Sequence, residues 1–209
     1  MVKSKKEGYF SKLANLFFHP NDFLKSIDKE KDYQPIMFFY VKTFIIVGII
    51  GLLTSMLVLS DLFSLTSGLF NLVTGIIFSF ALPFVYGGVI HLGVLIFGGK
   101  QAYFNTYKAV TYGSVIGLLY NLLISPLGGF LSLQTLSTQN FVLLLSSPAF
   151  IFLIALFLVQ LVHSLYFFTI GLSKFQKISK ARAFLSAIIV PAVLIILVGL
   201  LIAFATALV

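Results

Sequence analysis

Residues 69–97 read LFNLVTGIIFSFALPFVYGGVIHLGVLIF, without an aspartate, glutamate, lysine or arginine. A bilayer's hydrocarbon core is about 30 Å thick and a helix rises about 1.5 Å per residue, so about 20 apolar residues suffice to cross it. This stretch exceeds that length. Its apolar residues run continuously instead of alternating, which argues for a helix and against a barrel strand. Four further stretches read the same way, near residues 36–59, 109–131, 142–170 and 183–208. The fold class that follows is an all-α integral membrane protein. A bundle of five transmembrane helices over residues 36–209 is preceded by an amphipathic N-terminal segment, 1–35.

Composition agrees. Of 209 residues, 59% are hydrophobic and only 10% charged, and mean hydropathy is +1.08. Soluble domains carry about 25% charged residues, and disordered chains are far less apolar. The runs at 69–97 and 142–170 are longer than a bilayer requires, so they are expected to tilt, break or emerge at an end. Pro83 before Gly87 and Gly88 is a candidate kink, and Pro148 is a candidate true start for the fourth span.

Charge sets the orientation. The 14 basic residues fall in the N-terminal segment, at Lys42, at Lys100 and Lys108, and at Lys174, Lys177, Lys180 and Arg182. The connections around 60–68 and 132–141 have none. A five-span arrangement therefore puts every basic residue on one side. Basic residues are retained in the cytoplasm, which predicts a cytoplasmic N-terminus and an external C-terminus. The first 35 residues lack a signal-peptide pattern, so the first span is read as a retained start signal. With no tryptophan, Tyr33, Tyr40, Tyr103, Tyr107 and Tyr166 are the expected interfacial anchors on the cytoplasmic side.

In the N-terminal segment Tyr9, Phe10, Leu13, Leu16 and Phe17 share a helical arc. Beyond His19-Pro20, Phe23, Leu24 and Ile27 share another. Two readings stand: interfacial helices on anionic lipid, or a face packed on the ends of the spans. Residues 28–32, where acids alternate with Lys29 and Lys31, read as a solvated connector.

Polar residues within spans are the candidate chemistry. Tyr86, His91, Tyr112, Gln160 and His163 fall toward the cytoplasmic side and are a candidate intramembrane polar pocket; the alternative is hydrogen bonding between helices. Gly113, Gly117 and Asn121 form a candidate helix-packing stripe. Lys174, Lys177, Lys180 and Arg182 are candidate anionic-lipid contacts.

The absences narrow the classes further. No acid follows Asp61, which argues against carboxylate proton relays and sodium sites. Three histidines without cysteine or membrane carboxylates make a poor metal shell, and Gly98-Gly99-Lys100 lacks the rest of a phosphate loop. Ser114 and Ser164 have no nucleophile elbow or carboxylate orienter. No catalytic, cofactor-binding or metal-ligating residue is assigned, and nucleic acid is not an expected partner.

Several local patterns carry a resemblance. Leu16-Phe17-Phe18-His19-Pro20 through Ile27 opens the series. His91 leads to Phe97-Gly98-Gly99, the aromatic loop Tyr103-Phe104-Asn105-Thr106, and Ala109 to Tyr112. Ser125-Pro126 closes the third span, and Gly171-Leu172 precedes Ile178-Ser179-Lys180-Ala181-Arg182-Ala183. Over roughly residues 10–205 the chain resembles the Yip-domain family, named for interaction with Ypt/Rab small GTPases. The resemblance implies five membrane helices with a cytoplasmic N-terminus. It also implies, for eukaryotic members, a place in Golgi and endoplasmic-reticulum traffic with prenylated GTPases. This sequence departs from those members in lacking a long N-terminal extension and an acidic Asp-Leu-Tyr-Gly-type segment. GTPase handling is therefore not carried over, and a prokaryotic relative in the cytoplasmic membrane is expected.

The function expected from all this is non-enzymatic: organising membrane, or binding lipid or protein partners at the cytoplasmic face. Anionic lipids are the first expected partner, a protein or a second copy of the chain the next. The alternative is a small transporter or lipid-translocating protein using the polar pocket. Five unequal spans without an internal repeat speak against transport.

Overall fold

A computed structural model of the chain describes residues 8–59, 62–138 and 146–207. Two short helices, α1 (Tyr9–Phe18) and α2 (Pro20–Ser26), precede five long ones. These are α3 (Tyr33–Leu59), α4 (Leu62–Ile96), α5 (Tyr103–Thr138), α6 (Pro148–Gln176) and α7 (Lys180–Ala207). All five are long and apolar enough to cross a membrane, and the chain is a multi-pass membrane protein. No strand occurs among the described residues.

Local chemistry sets the helix ends. His19 leaves helical geometry at φ −129°, ψ 57° because the residue before a proline is driven out of it, and Pro20 then starts α2. The Ser147 hydroxyl accepts from the Phe150 amide, capping α6 ahead of Pro148. The fourth helix is described from Pro148; residues 139–145, and with them the expected start at 142, lie outside the described residues, whereas residues 132–138 of the expected loop continue α5. So do residues 60–61 and 208–209. α6 ends on Lys177 in the left-handed region and α4 on Gly98 at φ 88°. Ser125-Pro126 does not close a helix: α5 runs through Pro126 to Thr138, as α4 runs through Pro83 and α7 through Pro191.

The neighbours in order around the bundle are α3, α4, α7, α6 and α5, with α5 returning to α3 and also touching α4. Two glycines permit the closest approaches. A Cβ on Gly93 would lie 2.6 Å from the Ser186 carbonyl oxygen of α7, and one on Gly113 would collide with the Phe168 ring of α6.

With 27 to 36 residues at about 1.5 Å each, the long helices outreach the roughly 30 Å of hydrocarbon. The surplus is used at one end. The continuous buried core comprises Ile36–Val41 positions of α3, Ile90 and Val94 of α4, Tyr107 to Ile116 of α5, Phe167 to Phe175 of α6, and Ala183 and Ala187 of α7. All lie near the end at which α3, α5 and α7 begin and α4 and α6 finish. Leu16, Phe23, Leu24 and Ile27 join it, each at most 2% exposed. The apolar face of the N-terminal helices is therefore packed on the spans; Phe10 and Phe18 remain outside it, 76% and 71% exposed. Every described lysine and arginine belongs to this same end, called here the basic end. Tyr40 and Tyr107 are core residues rather than interfacial anchors, while Tyr33 and Tyr166 are exposed. Elsewhere α4, α6 and α7 present long apolar surfaces, including Phe70, Ile77, Phe152 and Ile195. Such a sheath is untenable in water and suited to lipid.

The two classes of phenylalanine in α1 and α2 predict opposite outcomes on truncation. Phe23→Ala should cost about 3–5 kcal/mol in mixed-micelle unfolding with dodecyl sulfate. Phe10→Ala should stay within about 0.5 kcal/mol of wild type in the same titration.

Candidate functional site

At the basic end three lysines bond to the N-terminal segment or its ring of partners. Lys108 on α5 is only 2% exposed. Its ammonium donates to the carbonyls of Ile27 (3.3 Å), Asp28 (3.3 Å) and Glu30 (3.2 Å), which follow the last turn of α2. Its charge also lies 4.3 Å from the Phe175 ring centre and 5.4 Å from that of Phe104. Lys174 on α6 donates to the Leu24 carbonyl at 2.9 Å. A helix C-terminus leaves its last four carbonyls without partners and carries partial negative charge, so cations there satisfy both needs.

The third lysine is on α1. Lys12 pairs with Glu30 at 2.9 Å and donates to the Tyr112 hydroxyl at 2.6 Å, while Tyr112 donates to the other Glu30 oxygen at 2.8 Å. The ammonium lies 4.8 Å from the Tyr112 ring and 5.1 Å from the Phe39 ring. α1, the link before α3, and α5 are thus joined through one closed polar ring. Glu30 is not part of a solvated connector: its carboxylate is about three-quarters covered, although its neighbours Lys29, Lys31 and Asp32 are exposed. By contrast Lys25 and Asp22 pair wholly on the surface, and the ammonium holds the Asp22 carboxyl below its usual range. Such a pair does little for stability.

The five residues grouped as a polar pocket occupy four different settings. Tyr112 belongs to the ring just described. His91 Nδ1 lies 2.8 Å from the Thr106 hydroxyl, which also accepts from Gln176 at 2.8 Å. Through the Thr106 hydroxyl these contacts link α4, α5 and α6. His163 lies 3.3 Å from the Tyr120 hydroxyl, with the Phe17 ring edge-on at 4.7 Å between centres. Only Tyr86 and Gln160 share a cavity, and they share it with the stripe of Gly113, Gly117 and Asn121.

That cavity, about 420 Å³ between α4, α5 and α6, also meets Ser114 and Ser164. A second, about 530 Å³ between α3, α4 and α5, is lined by Gly48, Gly51, Gly68, Asn71 and Ser125. Asn121 and Leu118 line both, so the two lie either side of one α5 segment. The glycine stripe therefore does two jobs. Gly113 admits the Phe168 ring, whereas Gly117 leaves room in which the Gln160 amide stands 3.2 Å from where a Cβ would be. No described group of three histidine or acidic residues could hold a metal ion.

Outside the core, Lys177, Lys180 and Arg182 are exposed on the turn from α6 to α7. Lys174 is set apart from them by its bond to Leu24 and by Asp28 at 3.8 Å. Sequence position did not reveal this division, because burial of a lysine depends on α2 lying across α5 and α6.

Compared with known families, residues 14–201 match the Yip1 domain. No curated protein and no solved structure matches the chain.

Lys108→Met keeps the stem but removes the donor to three carbonyls; that of Ile27 keeps the Glu30 amide, while those of Asp28 and Glu30 lose the ammonium, each orphaned group costing about 1–3 kcal/mol. Tryptic cleavage after Lys25, Lys29 and Lys31 in detergent should accelerate at least about tenfold. Lys177→Met, at an exposed lysine, should leave that rate unchanged.

Proposed function

The chain belongs to the Yip1-domain family, and from that membership we propose a non-enzymatic protein that engages lipid or protein partners at the cytoplasmic face. The basic end is the cytoplasmic end, with the N-terminus inside and the C-terminus outside. The observation that carries this is the segregation of charge. Every described basic side chain lies at the end where α1 and α2 dock, while the described apolar helix surfaces elsewhere carry none. Moving ammonium groups across hydrocarbon is costly, so this end stays where synthesis leaves it.

The contact group is the exposed trio Lys177, Lys180 and Arg182, with Lys100 on the neighbouring loop. Lys174 is withdrawn from it, because its ammonium closes the end of α2. Exposed lysines next to an anionic leaflet contribute about 1 kcal/mol each. Phe10 and Phe18 stand out from the docked α1 as further apolar anchors. A protein partner or a second copy would use the same exposed face.

The sidedness is directly testable, since the chain contains no cysteine. Lys177→Cys should react with an impermeant maleimide only in inverted vesicles; labelling of right-side-out vesicles would reverse the orientation. For the lipid contact, replacing Lys177, Lys180 and Arg182 together by glutamine should weaken retention of phosphatidylglycerol about fivefold per charge removed. Native mass spectrometry would read this, and equal retention by wild type and variant would remove the lipid part of the proposal.

A further inference from the structure

The cavities beside Asn121 differ from the rest of the bundle in chemistry as well as in packing. Tyr86, Asn121, Gln160 and Ser164 all line the one between α4, α5 and α6. None of the four has a side-chain hydrogen-bond partner among the described residues; the Gln160 Oε1 atom is fully buried, Ser164 is half-buried, and Tyr86 and Asn121 are exposed. Each lies well inside a span. In hydrocarbon an unsatisfied polar group costs free energy that water would otherwise refund, so four around one space call for a polar occupant.

The lining selects its class. No lysine, arginine, aspartate, glutamate or histidine lines either cavity. A ligand with net charge would find no counter-charge there, at the depth where uncompensated charge is most costly. Amide side chains both donate and accept, which matches hydroxyl and ester oxygens. The cavity wall is also amphipathic: Phe157 and Leu161 line it and are 49% and 54% exposed, giving acyl chains an apolar track out of the bundle.

We propose that the cavity between α4, α5 and α6 binds an uncharged acylglycerol, with Asn121 and Gln160 on its glycerol oxygens and its chains along Phe157 and Leu161. This site is separate from the exposed basic trio and would stand if anionic-lipid binding at that trio failed.

The test uses the full chain in detergent with dioctanoylglycerol as probe and dioctanoylphosphatidylglycerol as its charged counterpart. The neutral lipid should raise the unfolding midpoint of wild type; in the chain with Lys177, Lys180 and Arg182 replaced by glutamine, where the basic trio cannot bind it, the charged one should not. Asn121→Leu and Gln160→Leu should each weaken the neutral-lipid effect about tenfold. Their lipid-free midpoints should be unchanged or higher, because an unsatisfied polar group has been replaced by an apolar one. If a variant does not fold, wild type alone still decides. A diacylglycerol carrying a diazirine should label peptides from the 113–121 and 157–164 regions. Labelling confined to other helices, no shift with the neutral lipid, or an equal shift with the charged lipid in the chain whose basic trio is replaced by glutamine would each overturn the proposal.

Discussion

A single ammonium group, that of Lys108, holds the basic end together. α2 is only seven residues long, too short to stand alone in water. Its end would expose a cluster of carbonyls to an aromatic core. Lys108 reaches them from α5 and Lys174 reaches another from α6, so the helix terminus satisfies one buried cation, Lys108, and one partly exposed cation, Lys174. Neither side is tolerable alone, since an unpaired buried cation costs several kcal/mol. This reciprocity fixes where α2 lies, and therefore where Phe23, Leu24 and Ile27 enter the core. An arginine would bring a planar fork rather than a compact point charge, a poor match for three carbonyls converging on one atom.

The spans were legible in the sequence because hydrocarbon imposes a length and tolerates almost no charge. Residues 69–97 and 36–59 could hardly be read otherwise. The helix ends were less legible for the same reason. Beyond the hydrocarbon, α5 continues into Tyr103 to Lys108, where packing against other helices replaces transfer from water as the driving force. The polar pocket shows a second limit. Counting spans tells which half of the bundle a side chain occupies but not the direction it faces. His91 and Gln160 share a half, yet one faces Thr106 and the other the space beside Gly117. Glu30 was hidden more deeply: nothing in an alternating acid–lysine string says which carboxylate a distant Lys12 and Tyr112 will enclose.

The division among lysines follows from the same geometry. By sequence, Lys174 and Lys177 are neighbours in one basic cluster. In the structure a helical Lys174 is turned toward α2, while Lys177 terminates the helix in the left-handed region and is exposed. The cluster's net charge therefore overstates the number of groups free to meet an anionic surface, and the free ones gather on the turn between α6 and α7.

Packing also bears on how the bundle could work. The continuous buried region is the aromatic and aliphatic core at the basic end, from Tyr107 and Tyr112 across to Phe167 and Phe175. The polar cavities lie beyond it, and Phe168, which belongs to that core, forms part of the wall of one. A path from the cavities to the basic end would have to separate α5 from α6 where the Phe168 ring fills the space left by Gly113. Close-packed interiors open only by switching between discrete arrangements, and here such a switch would also disturb the lysine–carbonyl contacts holding α2. Lateral exchange with the bilayer asks for none of this, because Phe157 and Leu161 already connect cavity wall to exposed helix surface. For the amphiphile proposed above, the route of exchange is therefore sideways into the bilayer, past Phe157 and Leu161, with the lysine–carbonyl contacts of α2 left in place.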